Sequence, residues 1–143
     1  MINEKILIAV DGSEECNLAF RWLCQISKRA KSQIVATYVN VIPFSQRLNA
    51  EIPSNNSGEH ILNIIEAIAK EEKTKVQTII VQGRSVGPAL TIEAKKIKAD
   101  MIVLASKKIS SNSNPLGKTS VYVMRHAQCG TLLWNKNKPS RAV

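Results

Sequence analysis

Residues 110–120 read SSNSNPLGKTS, and Gly117-Lys118-Thr119 are the three letters that close a phosphate-binding P-loop. That loop needs a glycine at each end, so that successive backbone N–H groups curl round the phosphates while the lysine meets their charge. The first glycine would stand at position 112, where the chain has Asn112, and no apolar run ending in aspartate follows to hold magnesium. A P-loop NTPase is therefore excluded. A looser anion site is not. The Ser/Asn/Pro/Gly stretch 106–117 runs from an apolar segment into a helix expected over 118–127, and the free N–H groups at a helix start attract anions. Lys118, Thr119 and Ser120 stand at that start, with Lys107 and Lys108 across the loop. The same letters also fit a plain helix cap by Thr119 or Ser120 with solvated lysines. Both readings stay open.

Other chemistry finds less support. Two histidines, His60 and His126, are too few for a metal cluster, and no Ser–His–Asp order suggests a triad. The acids at 14, 15, 71 and 72 read as solvated helix faces. Cys16 and Cys24 fall on one helix about 12 Å apart, too far for a disulfide, and Cys129 has no CxxC companion. All three read as small buried thiols.

The elements that must position these residues follow from periodicity. Lys5 to Val10 is a short apolar strand, and Asp11 or Ser13 caps the helix after it, with Glu14 and Glu15 on its positive end. Cys16, Ala19, Phe20, Leu23 and Cys24 recur at helical spacing and predict a helix over 14–31. Residues 33–42 are β-branched and strand-like, and 43–58 form a long polar loop. Ile61, Ile64, Ile65 and Ile68 mark a second helix ending near Lys73. A strand over 76–82, a helix carrying Val86, Leu90, Ala94 and Ile97, a strand over 101–105 and a last strand over 131–134 complete the series. Strand–helix alternation with unbroken apolar strands means an α/β domain: an open, doubly wound parallel sheet with helices on both faces, Rossmann-like. In such sheets ligands sit beyond the carboxyl ends of the strands, here Val10-Asp11, Val41, Gln82-Gly83 and Leu104-Ala105.

Composition bounds the rest. The 143 residues suit one domain, expected over 1–134, with 135–143 a flexible basic tail. The longest apolar runs have five residues against the roughly 20 of a bilayer span, and no signal peptide precedes the first strand, so cytoplasm is the expected location. The net charge of +9 is lopsided: ten Lys/Arg balance ten Asp/Glu over 1–94, whereas 95–143 hold ten Lys/Arg against Asp100 alone. That excess is either a solubilising face and tail or the footprint of an acidic partner. Aromatics at 4% argue against single-strand binding, which wants stacking platforms among the cations, and specific nucleic-acid binding is not expected.

The segments ILIAVDGSEE (6–15), VNVIP (39–43), QGRSVGPALTIEAKKIKADMIVLAS (82–106) and LGKTSVYVMRHAQCGTLLW (116–134) resemble the universal stress protein family, in order and in spacing. The resemblance covers nearly the whole chain. It implies five parallel strands in the order 3-2-1-4-5, commonly a homodimer joined through the last strand, and a structural role for His126. It further implies a regulatory protein that is no enzyme. Many members bind ATP, which on this resemblance would come with magnesium; others bind no nucleotide, and the chain would then carry no cofactor. Nucleotide-binding members carry Gly-x-x-Gly, nine residues, then Gly-[Ser/Thr]. Here Ala105 and Lys108 stand at the first two glycines, the loop is one residue short, and Gly117-Lys118 takes the final pair. On this resemblance Val10, Asp11 and Val41 face the base and ribose. Ala105, Lys107, Lys108, Gly117, Lys118, Thr119 and Ser120 face the phosphates. The rival reading is a dimeric interaction module with no nucleotide, whose basic final third engages an acidic partner. A nucleotidyl transferase would need a His-x-Gly-His motif near the first strand, and the sequence has none.

Overall fold

Consecutive strand residues point to opposite faces, so a strand whose neighbours in sequence are both buried must be covered on both sides. Strand β1 (Lys5–Ala9) meets that condition, with Leu7 and Ile8 wholly buried, and β4 (Met101–Ala105) does so with Ile102 and Val103. The structure, a computed structural model, describes residues 4–45, 57–106 and 117–135. Helix α1 (Glu14–Ala30), β2 (Gln33–Val41), α2 (Ser57–Glu71), β3 (Val76–Gly83), α3 (Val86–Ile97), α4 (Gly117–His126) and β5 (Gly130–Trp134) make up the rest. All the strand pairs are parallel, and the order is β3-β2-β1-β4-β5, as the family resemblance implies.

Strand parity divides the core in two. Ile6, Ile8, Ile34, Ala36 and Val103 pack under α1 and α2 against Phe20, Leu23, Leu62 and Ile65. Leu7, Val39, Ile102 and Leu104 pack on the other face against Leu90, Ala94 and Val123 of α3 and α4. Arg21 ties α1 to α2 through Glu71 at 3.1 Å and Glu72 at 2.8 Å.

The elements fall within about two residues of their expected limits: α2 starts at Ser57, inside the expected 43–58 loop, and stops at Glu71, short of Lys73. Helix α1 ends at Ala30 because Lys31 turns left-handed at φ 55 and its N–H caps Ser27 O. The buried stripe of α2 is Leu62, Ile65, Ile68 and Ala69, with Ile64 turned outward and 36% exposed. Ile64 lies about 200° round the helix from Leu62, so one face cannot hold both. Strand β3 keeps Gly83 as its last residue, and α4 and β5 each start one residue early. Lys107, Lys108 and the expected tail from 136 onward lie outside the described residues.

The amino-terminal rim is tied across β1 and β4. Asp100 accepts from the Lys5 backbone N–H at 2.8 Å, Lys5 O accepts from Asp100 N at 2.7 Å, and Lys5 Nζ reaches Ile97 O at 3.1 Å. The one acid of the basic third is thus used structurally.

Helices α3 and α4 meet closely at Gly87, where a Cβ would stand 2.8 Å from Tyr122 Cδ1 and 3.0 Å from Tyr122 Cβ. Atoms so near the α4 backbone cannot swing aside. Gly87→Ala is therefore expected to destabilise the protein by about 1–3 kcal/mol in urea unfolding, as overpacking does. In a Tyr122→Ala background, which removes the ring but keeps the Cβ at 3.0 Å, the same change should cost less, and equal losses in both backgrounds would refute the ring contact.

All three cysteines are free, with Cys16 and Cys24 buried and Cys129 half-buried. The Cys16 thiol donates to Ala9 O at 3.3 Å, and burial pushes its pKa up from 9.0 to about 12. Burial likewise raises Cys24 and Cys129. Between pH 9 and 12 the unfolded chain sheds the Cys16 proton while the native state keeps it. The stabilisation is complete below pH 9.0 and is lost as pH climbs toward 12. The slope is at most about 1.4 kcal/mol per pH unit for one proton. Urea-unfolding free energies should fall less steeply over that window in Cys16→Ala than in the parent; identical slopes would contradict the assignment.

Candidate functional site

The strands that hold together at the amino rim part at the other end. Pairing of β1 with β4 runs from Ile6–Met101 to Ile8–Val103 and stops there. Beyond it β1 stays with β2: Ala9 pairs with Thr37, and Val10 N donates to Thr37 O at 3.0 Å. Strand β4 stays with β5 instead, pairing through Ala105–Trp134, with Ser106 N donating to Trp134 O at 2.8 Å. The carboxyl ends of β1 and β4 therefore border a crevice at the point where the winding of the sheet reverses, the position at which open α/β sheets take ligands.

On the β1 side, Val10 is buried and Asp11 exposed. Gly12 adopts φ 84, which glycine takes without penalty, and the chain turns into α1. The turn uses both capping candidates. The Asp11 carboxylate accepts from Ser13 N at 2.9 Å, and Ser13 Oγ accepts from Cys16 N at 3.1 Å as the helix cap. Asp11 is thereby fixed at the mouth of the crevice. With burial holding the neighbouring Cys16 protonated, no thiolate nucleophile stands beneath it.

On the β4 side, Ala105 is half-buried at the strand end, and Gly117 opens α4 at φ 72. No described atom lies within 4 Å of where a Cβ on Gly117 would stand. Lys118 is exposed, Thr119 half-buried and Ser120 buried, all within the first turn of α4. Neither hydroxyl residue precedes the helix, so the N-cap reading of Thr119 or Ser120 does not apply; the Thr119 backbone N–H, third in the helix, belongs to the set that lacks intrahelical acceptors.

The two helix starts differ in charge. The first turn of α1 carries Glu14 and Glu15, whereas that of α4 carries no acid and has Lys118. An anion approaching the crevice meets repulsion on one side and attraction on the other. The sequence had marked Val10, Asp11, Ala105, Gly117, Lys118, Thr119 and Ser120, and the topology brings the ends that carry them to one rim. Lys107 and Lys108 lie outside the described residues.

Val41 ends β2 on the same rim, paired with Gly83 and 49% exposed. The sequence reading passed over the structure that holds it. Arg84 reaches across from the end of β3 to Pro43 O and to Ile42 O (3.4 Å), and its guanidinium lies 5.3 Å from the centre of the Phe44 ring. Phe44 is 86% exposed and stands over the rim as an uncovered apolar surface. The available signal was a cation directly after a strand-ending glycine, Gly83-Arg84.

Among the described residues no group of three or more His, Cys, Asp or Glu could hold a metal ion, and no helix is long and apolar enough to cross a membrane. His126 Nδ1 lies 2.9 Å from Tyr122 O, and its ring stacks on Tyr122 at 4.0 Å, a local contact within α4.

Comparison with known proteins bears on the whole chain. A universal stress protein of Methanocaldococcus jannaschii is 28% identical over an alignment of 144 positions that covers 94% of this chain and 84% of the relative. A universal stress protein solved in complex with cAMP superposes with a TM-score of 0.74 at 18% identity, covering 96% of this chain and all of the other. A family member from Arabidopsis thaliana with AMP bound gives 0.68 at 20% identity, covering 96% and 97%. At such identities the likeness speaks for the fold. The model of the universal stress protein family matches residues 3–134, and the chain belongs to that family.

Proposed function

We infer that the crevice between β1 and β4 receives an adenine nucleotide, with ATP as the leading candidate, and that the protein acts in the cytoplasm by binding and signalling state, not by turning over substrate. The parting of the two strands after Ile8–Val103 carries this reading, because the winding of the sheet reverses there and open α/β sheets take ligands at that point. The cAMP and AMP found with two related structures support an adenine ligand. Val10, Asp11 and Val41 would meet base and ribose, with the Asp11 carboxylate accepting from ribose hydroxyls. The phosphates would point at the first turn of α4, Gly117 to Ser120, where the charge is favourable. Lys107 and Lys108, which follow Ser106 in the sequence, would add charge there, and ATP would arrive with magnesium already on its phosphates.

A second reading is favoured by Ala105, which stands where nucleotide-binding relatives have a bare glycine backbone. On it the protein is a homodimeric interaction module. Its last strand, β5, pairs only with β4 among the described strands and carries half-buried Leu132, Leu133 and Trp134 toward a second copy. The basic final third would then engage an acidic partner.

Thermal unfolding with ATP, with and without magnesium, separates the two. ATP at a hundred times its Kd should add about 2.7 kcal/mol of stability. Asp11→Asn, which keeps an acceptor for Ser13 N, should weaken ATP binding by about 1.5–3 kcal/mol, the value of a charge-assisted hydrogen bond. Ala105→Gly should strengthen it. An unfolding midpoint that millimolar ATP leaves unmoved would discard the nucleotide reading in favour of the interaction module.

A further inference from the structure

At the opposite end of the sheet from the crevice, α3 and α4 leave a half-open groove of about 390 Å³. Its origin is visible in the chain. The two helices touch at Gly87 and Tyr122, α4 stops at His126, and α3 continues to Ile97, so its last turns run past the end of α4 beside the Ala127–Cys129 turn. Small side chains line the deep part, Ala94, Ala99 and Ala127 over the buried face of Ile102, and none is large enough to fill it. The volume lies within the range of small-molecule sites.

The lining has a definite chemical character. One wall is the Tyr122–His126 stack, with ring centres 4.0 Å apart and planes inclined by 18°. Lys95 and Lys98 stand at the mouth, both exposed, and Ile92, 68% exposed, forms an apolar lip. No Asp or Glu among the described residues lines the groove, and Asp100, next along the chain, is engaged by Lys5 N. The carboxyl ends of α3 and α4 each bring about half a negative charge, which Lys95, Lys96, Lys98 and Arg125 outweigh. An aromatic wall with two ammonium groups beside it suits a flat ring that carries a negative charge.

We propose that this groove is a binding site for a small aromatic carboxylate, its ring against the Tyr122–His126 stack and its carboxylate between Lys95 and Lys98. The proposal stands apart from the nucleotide reading, since it uses none of the rim residues. Burial keeps the Cys129 thiol protonated, so the guest is held without a covalent bond.

The probe is 2-naphthoate, titrated into the full chain by calorimetry, with neutral 2-naphthylmethanol as its uncharged counterpart. Saturable binding of the acid is expected. The double variant Lys95→Gln/Lys98→Gly should weaken it at least about tenfold, which is ~1.4 kcal/mol, and leave the alcohol unaffected. Glycine suits position 98, which sits at φ 58, so the variant should fold normally, as a thermal melt will verify. Ala127→Leu, which fills the groove, should reduce binding of both compounds. ATP should displace neither. The site is refuted if 2-naphthoate fails to bind at millimolar concentration, binds equally well to the double variant, or is displaced by ATP.

Discussion

The junction between β1 and β4 is the constraint on which the rest of the molecule depends. At the amino rim, Lys5 and Asp100 lock the two strands together through backbone and side-chain hydrogen bonds. The strands then pair over three residues and part, because Val10 is claimed by β2 and Ser106 by β5. A parallel sheet that winds outward in both directions from its centre has to part somewhere, since the connections after β1 and β4 leave on opposite faces. Here α1 follows β1 onto the face with α2, and α4 shares the other face with α3. The crevice is a consequence of topology before any side chain is considered. Side chains decide only what it will accept.

That decision is electrostatic and local. Both helices that begin near the crevice offer free N–H groups, so dipoles alone would make the two sides equivalent. Glu14 and Glu15 cancel the attraction at α1, while Lys118 reinforces it at α4. Asp11 adds an acceptor on the α1 side, held in place by its bond from Ser13 N. The crevice thus has a polarity, suited to a ligand that donates hydrogen bonds at one end and carries negative charge at the other. Nucleotides are built that way. Backbone approach is the less favourable part: Ala105 adds a methyl group where a glycine would leave bare peptide, while no described atom crowds Gly117.

Most of the architecture was legible in the sequence because its signals are local. The doubly buried runs of β1 and β4, the stripe Cys16, Ala19, Phe20, Leu23, Cys24 and the Ser13 cap each depend on residues a few positions apart. The strand order depends on which distant segments pair, and it came from the family resemblance, not from periodicity. The rim residues were legible by the same two routes, strand ends from pattern and their roles from resemblance. What escaped were contacts across large separations. Arg84 holding the exit of β2 joins residues about 40 apart, and the approach of Gly87 to Tyr122 joins two helices whose spacing no periodicity encodes. The outward turn of Ile64 escaped for another reason: Ile61, Ile64, Ile65 and Ile68 share one helical stripe, but the packed face is rotated toward Leu62 and Ala69, which leaves Ile64 at its outer edge.

Helix α4 connects the two ends of the molecule. Its first turn, Gly117 to Ser120, borders the crevice, and its last, with Tyr122 and His126, walls the groove at the other end. Ten residues make a rod about 15 Å long. A short helix moves as one body more readily than it bends, so a shift at either terminus is felt at the other. Its hold on the core is modest: Val123 and Ser120 are its buried residues, and its close contact with α3 is the pivot at Gly87. Two ligands could then influence each other only through the placement of this rod, and only to the extent that each prefers one placement over another. Such coupling is reciprocal by thermodynamic necessity. A guest that tightened nucleotide binding by seating α4 would be bound more tightly by the nucleotide-loaded protein, and one indifferent to the position of α4 would change nothing at the rim however firmly it was held.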